Sequence, residues 1–223
     1  MKIARLELQT IDLRVQEDFY AKVLELPVKL SSLGLEIGVG TTDLVFSQAP
    51  ADFDGSYHFA FNIPENQFSA TKAWISGRTP LLREENGRDE FNSESWNSDS
   101  VYFKDAAGNV LEFIARHKLK NAADEKFNSQ QILNISEIGL PSEKVIGFAN
   151  DLCTFLNLSV FHQELNETFT PVGDDHGLLI LPIKNRIWTP NSGVPAKLLP
   201  VKVTGNAHDK KWEVRGVPYE IIS

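Results

Sequence analysis

The sequence predicts an α+β fold built from repeats of one strand, one helix and then further strands. Three observations lead there. Short segments alternate apolar and polar residues as half-buried strands do, while others space their apolar residues three and four apart as amphipathic helices do. The order strand, helix, strands also returns at intervals of roughly 55 to 75 residues, a period typical of repeated supersecondary units. With 42% apolar and 23% charged residues among 223, the chain has material for one large core or two small ones.

The first strand is residues 2–10, where Ala4, Leu6 and Leu8 alternate with Arg5, Glu7 and Gln9. Asp12 then offers a helix N-cap, followed by Val15, Phe19, Val23 and Leu24 at helical spacing, and Pro27 closes the helix. Val28 to Ser31, LGLEIGVG and TTDLVFS read as three strands, the last two joined through the turn at Gly38 and Gly40. Residues 1–52 thus spell βαβββ. A second unit, 53–118, follows the loop APADFDGS: YHFAFNIP is its first strand, ENQFSATKAWISGR its helix, and PLLREE, SVYFK and NVLEFIAR its later strands.

The polar segment 119–130 reads as a linker between domains. Beyond it, in 131–223, ILNISEIGL is strand-like, Ser142 precedes a helix bearing Val145, Ala149, Leu152 and Leu156, and ETFTPVG with GLLILPI forms a hairpin around the loop GDDHG. The tail from AKLLPVKVTGN onward begins a fourth unit but has only about ten residues where the repeat needs a helix, so it reads as eroded.

Charge and cysteine usage exclude several classes of function. A net charge of −8 with no Lys/Arg cluster argues against a nucleic-acid or anionic-membrane partner. The first ten residues lack the apolar run of a secretory signal, and no segment approaches the length of a membrane span. One cysteine, Cys153, allows no internal disulfide, so a reducing, cytoplasmic setting is expected. Cys153 falls on an apolar helical face, which suits a buried thiol better than a nucleophile. No phosphate-binding loop, dinucleotide fingerprint or G-x-S-x-G elbow occurs.

DLRVQEDFYAKVLELPV, YHFAFNIP and VYFKDAAGNVLEFIAR together resemble the vicinal-oxygen-chelate superfamily of glyoxalase I, bleomycin- and fosfomycin-resistance proteins and type I extradiol dioxygenases. The resemblance covers residues 1–118 well, and 131–223 look like a partial second copy. It implies tandem modules curled into an incomplete barrel, helices outside, with a small-molecule ligand in the concave interior and paired modules within a chain or a homodimer. It also implies one divalent metal, Fe, Mn, Ni or Zn, at a His in the position of His58 and a Glu in that of Glu112, with a third ligand from the first strand.

On that plan Arg5, Glu7 and Gln9 face the cavity, as do His58 and Asn62 on the second module's first strand and Glu112 and Arg116 on its last. Trp96 and Tyr102 are expected at the mouth, either stacking on a ligand or bracing the strands. The third ligand position carries Arg5, and a guanidinium about 4 Å from a dication costs roughly 8 kcal/mol at an effective dielectric near 20. Two outcomes stay open. Either Arg5 pairs with Glu112, leaving a metal-free binding protein, or Glu7 joins His58 and Glu112 in holding a metal for a lyase, isomerase or dioxygenase. A non-catalytic interaction role for the C-terminal part is a third.

Overall fold

The computed structural model describes residues 1–208 and 210–222, which form two seven-stranded sheets with three α-helices. In the first module, strand β1 (Lys2–Thr10) is followed by helix α1 (Leu13–Asp18) and a π-turn to Val23. Strands β2 (Val28–Ser31), β3 (Gly34–Val39) and β4 (Thr42–Gln48) complete it. Asp12 caps α1 as its side chain suggests, accepting from the N–H groups of Arg14 and Val15. Alternation along β1 breaks at one point: a bulge between Ile3 and Arg5 buries both Ile3 and Leu6 and leaves Ala4 half-exposed, so Ala4 does not join the core as its parity implies.

The second module contains β5 (His58–Ile63), α2 (Phe68–Ser76), β6 (Phe91–Ser93), β7 (Ser98–Lys104) and β8 (Val110–Arg116). PLLREE is not the expected strand; only a single bridge, Leu81 to Phe103, forms there, and β6 takes the sheet edge ten residues later. The β7–β8 turn is tied down by Asp105, which accepts from the N–H groups of Ala107 and Asn109 and from Gln16 and Tyr20 of the first module. The expected linker is packed as well: Phe127 is buried against Trp74, and Gln67 donates to the carbonyls of Ala123 and Glu125.

The third module is β9 (Asn134–Gly139), α3 (Val145–Leu156), β10 (Phe169–Asp174) and β11 (Gly177–Pro182). Helix α3 buries Val145, Ala149, Leu152 and Leu156, the stripe its spacing defines. The fourth is reduced to β12 (Val201–Ala207), β13 (Lys210–Gly216) and β14 (Glu220–Ile222), with no helix among its described residues.

The two sheets do not follow the two halves of the sequence. β1 pairs antiparallel with β12, so the first module shares a sheet with the fourth in the order β14-β13-β12-β1-β4-β3-β2. β5 pairs antiparallel with β9, and the second and third modules share the other sheet, β10-β11-β9-β5-β8-β7-β6. This places β1 and β5 in different sheets and corrects the picture of one cavity enclosed by residues 1–118. Gly40 helps dock the sheets: its φ is +54°, and a Cβ there would lie 1.9 Å from the Leu133 carbonyl oxygen.

Candidate metal centre

Three adjacent strands of the second sheet build the site. Ala60, in the middle of β5, is paired on one side with Glu112 of β8 and on the other with Glu137 of β9. Paired residues share a face, so both carboxylates and His58, two residues before Ala60, point the same way. Neighbouring strands lie about 4.8 Å apart, and the Ala60 methyl leaves the space between the two acids open. One ligating atom each from His58, Glu112 and Glu137 lies within 4.8 Å of the others, and these form the one such group of three among the described residues.

Each group is set by its surroundings. His58 is buried, and its Nδ1 lies 3.0 Å from the Val110 carbonyl, so Nδ1 carries the proton and donates there while Nε2 keeps its lone pair. Burial pushes the imidazole down to a pKa of about 4, partly offset by the Val110 contact, which makes it neutral at physiological pH. Nε2 stands 3.7 Å from Glu112 Oε2, too far for a hydrogen bond. Burial, and then the neighbouring Glu137 charge, push Glu112 up to about 8, against the opposing effects of Ser100, Arg116 and Tyr102. Glu137 is raised by burial and held down by Arg116, whose Nη2 donates to Glu137 Oε1.

A divalent cation fits this donor set. Metal–ligand bonds of about 2.0–2.2 Å place bound donors about 3 to 4.4 Å apart, so small side-chain rotations bring these atoms into range. One neutral imidazole and two carboxylates suit Fe(II), Mn(II), Zn or Ni and leave positions for other oxygens. Sheet register explains why these three side chains converge. His58 stands opposite Val110 with Glu112 two residues on; Glu137 stands opposite Leu178 with Ile180 two residues on. Glu137 is thus the third module's counterpart of His58, and Ile180 occupies the counterpart of Glu112.

A cavity of about 200 Å³ opens over the cluster, walled by Phe91, Trp96, Tyr102, Phe169 and Trp188, with Ser98, Ser100 and Asn92 supplying polar atoms. Trp188 comes from the segment between β11 and β12, which folds back on itself through Asn185 to Ala196 and Trp188 to Val194 hydrogen bonds. Its ring lies 4.7 Å from that of His58 and occupies the room left by Gly139, where a Cβ would approach to 2.4 Å.

The structure brings His58, Glu112, Trp96 and Tyr102 together at this cavity and places the other candidates elsewhere. Arg5 and Glu7 lie on the first sheet, where Arg5 Nε donates to Glu7 Oε1 at 2.9 Å. The expected Arg5–Glu112 pair and the Glu7 ligand are therefore both replaced: a guanidinium does enter the cluster, but it is Arg116, and its partner is Glu137. Gln9 donates its backbone N–H to the Tyr57 hydroxyl near a separate pocket, and Asn62 donates to the Asp175 carbonyl. Sequence reasoning missed Glu137, although NISEIGL shows the same signal as NVLEFIA, one carboxylate inside an apolar strand.

Solved structures with this arrangement of strands exist. A candidate dioxygenase from Bacillus subtilis superposes with a TM-score of 0.60 at 19% identity, over 82% of this chain and 64% of its own length. Glyoxalase I from Zea mays superposes with a TM-score of 0.54 at 11% identity, over 81% of this chain and 66% of its own. This chain therefore spans about two thirds of the length of each. No family model and no curated protein sequence matches it. No helix among the described residues is long and apolar enough to cross a membrane. Module plan, sheet order and these likenesses agree: the chain has the glyoxalase/bleomycin-resistance/dioxygenase fold.

Proposed function

We propose that the chain is a divalent-metal-dependent enzyme acting on a small substrate that presents adjacent oxygens, with His58, Glu112 and Glu137 as the metal ligands. The observation that carries this reading is the convergence of three buried ligating side chains from adjacent strands around one alanine. Burying two carboxylates beside a histidine is costly unless something binds them, and strongly perturbed groups of this kind concentrate at functional sites. A cation held there would supply Lewis acidity toward bound oxygens, the chemistry shared by lyase, isomerase and dioxygenase reactions on this fold. The chain's own residues do the rest. Val110 fixes the imidazole tautomer, the Ser100 and Tyr102 side chains favour the charged form of Glu112, and Trp188 shields the His58 side from water.

Arg116 favours a second reading, a metal-free protein that binds small molecules, because its guanidinium already satisfies one of the two carboxylates. Metal analysis of protein purified without a chelating tag separates the two. The metal reading expects about one Fe, Mn, Ni or Zn per chain, lost together in His58→Ala, Glu112→Gln and Glu137→Gln. Wild-type protein that stays metal-free when offered each ion would establish the second reading instead.

A further inference from the structure

We propose that Arg116 sets the charge of this metal site and thereby restricts its ligands to anionic chelators, a deepening that rests on the metal reading above. Arg116 is wholly enclosed, its side chain 0% exposed, with its guanidinium against the edge-to-face pair of Trp96 and Phe161, 5.5 and 5.8 Å from their ring centres. Only Nη2 has a partner, Glu137; Nε and Nη1 are buried without one among the described residues. A guanidinium does not lose its proton in a protein, so this charge is permanent.

The consequence follows from counting charges. Glu112 and Glu137 together neutralise a dication, and His58 is neutral, so Arg116 leaves the loaded site with one uncompensated positive charge. Among the residues lining the cavity, the remaining charged side chain is Arg186, which adds to it. In a cavity of about 200 Å³ walled by aromatic rings, that charge is poorly screened. A neutral diol or diketone would leave it unbalanced, whereas a chelator bearing a carboxylate or an enolate balances it. Arg116 acts through Glu137 and the local field, which makes it a positioning residue. By holding Glu137 Oε1 it also withholds that oxygen from the metal.

Two effects of opposite sign are therefore expected when the charge is removed. Mn(II) affinity is measured by electron paramagnetic resonance, and oxalate is then titrated into the Mn(II)-loaded protein. Arg116→Gln should bind Mn(II) about tenfold more tightly and oxalate about tenfold more weakly than wild type, while Arg116→Lys keeps both close to wild type. A merely structural role would weaken both together in Arg116→Gln or change neither, and either outcome overturns the proposal. If Arg116→Gln does not fold, wild type decides: oxalate should bind the loaded site at least as tightly as it binds aqueous Mn(II). Binding about tenfold weaker than that overturns the proposal. Wild type that takes up no Mn(II) overturns the metal reading and this inference with it.

Discussion

The two sheets are built from the same kind of module, yet their charged residues behave in opposite ways. On the first sheet Arg5, Glu7, Lys202 and Glu213 form a ladder of ion pairs with side chains 21–41% exposed. On the second, His58, Glu112, Arg116 and Glu137 have side chains no more than 7% exposed. Cover makes the difference, because the segment carrying Trp188 folds over the second sheet beside His58. Exposed pairs are screened by water and contribute little, whereas enclosed ones shift each other's protonation and can hold an ion. One architecture thus yields a solvated ladder of ion pairs on one side and an enclosed charged cluster on the other.

Mutations that strip one partner from each cluster should show the largest contrast. Glu137→Ala leaves the enclosed Arg116 unpaired and is expected to cost about 3–5 kcal/mol in urea unfolding of metal-free protein. Glu7→Ala, which removes the partner of Arg5 and Lys202, should cost no more than about 1 kcal/mol. Equal costs would erase the distinction between the sheets.

Glu112 gives the next effect, and its sign is fixed by its raised pKa. Folding favours the protonated acid, so in metal-free protein its contribution to stability declines as pH rises from the ordinary 4.5 and levels off above about 8. Glu112→Gln should therefore match wild type near pH 4 and be the more stable of the two at pH 9. The same proton must leave before a metal binds, so metal affinity should climb over that range.

Two glycines provide a smaller, paired test. A Cβ on Gly139 would meet the Trp188 ring, while one on Gly205 would meet the Trp212 ring and the Lys2 carbonyl oxygen at 2.3 Å. Gly139→Ala should cost about 1–3 kcal/mol, because the tryptophan can give way, and Gly205→Ala should cost more, because backbone cannot. The Gly139 variant should also lose the His58–Trp188 packing, visible as altered tryptophan fluorescence. The smallest effect is expected for Arg5→Leu, within about 1 kcal/mol and reduced further by salt.

Much of the fold is legible in the sequence because strand parity and helix spacing are local. Asp12, the α3 stripe and the faces of β5 and β8 follow from periodicity alone. Module pairing is not local. Whether β5 lies beside β1 or β9 depends on contacts between distant segments, and alternation is the same in either case. That gap explains the errors at the site. With β1 assumed as the neighbour, Arg5 and Glu7 stand beside His58; with β9 there, Glu137 does. PLLREE has strand composition, but its place at the sheet edge is taken by the later β6.

Diffraction from crystals grown with Mn(II), collected for its anomalous signal, tests most directly whether the second sheet holds a metal. The expected result is a single strong peak about 2.0–2.2 Å from His58 Nε2 and from one oxygen each of Glu112 and Glu137, with Arg116 still bound to the other Glu137 oxygen. A site without a peak, with Glu112 and Glu137 arranged as in metal-free protein, would contradict it.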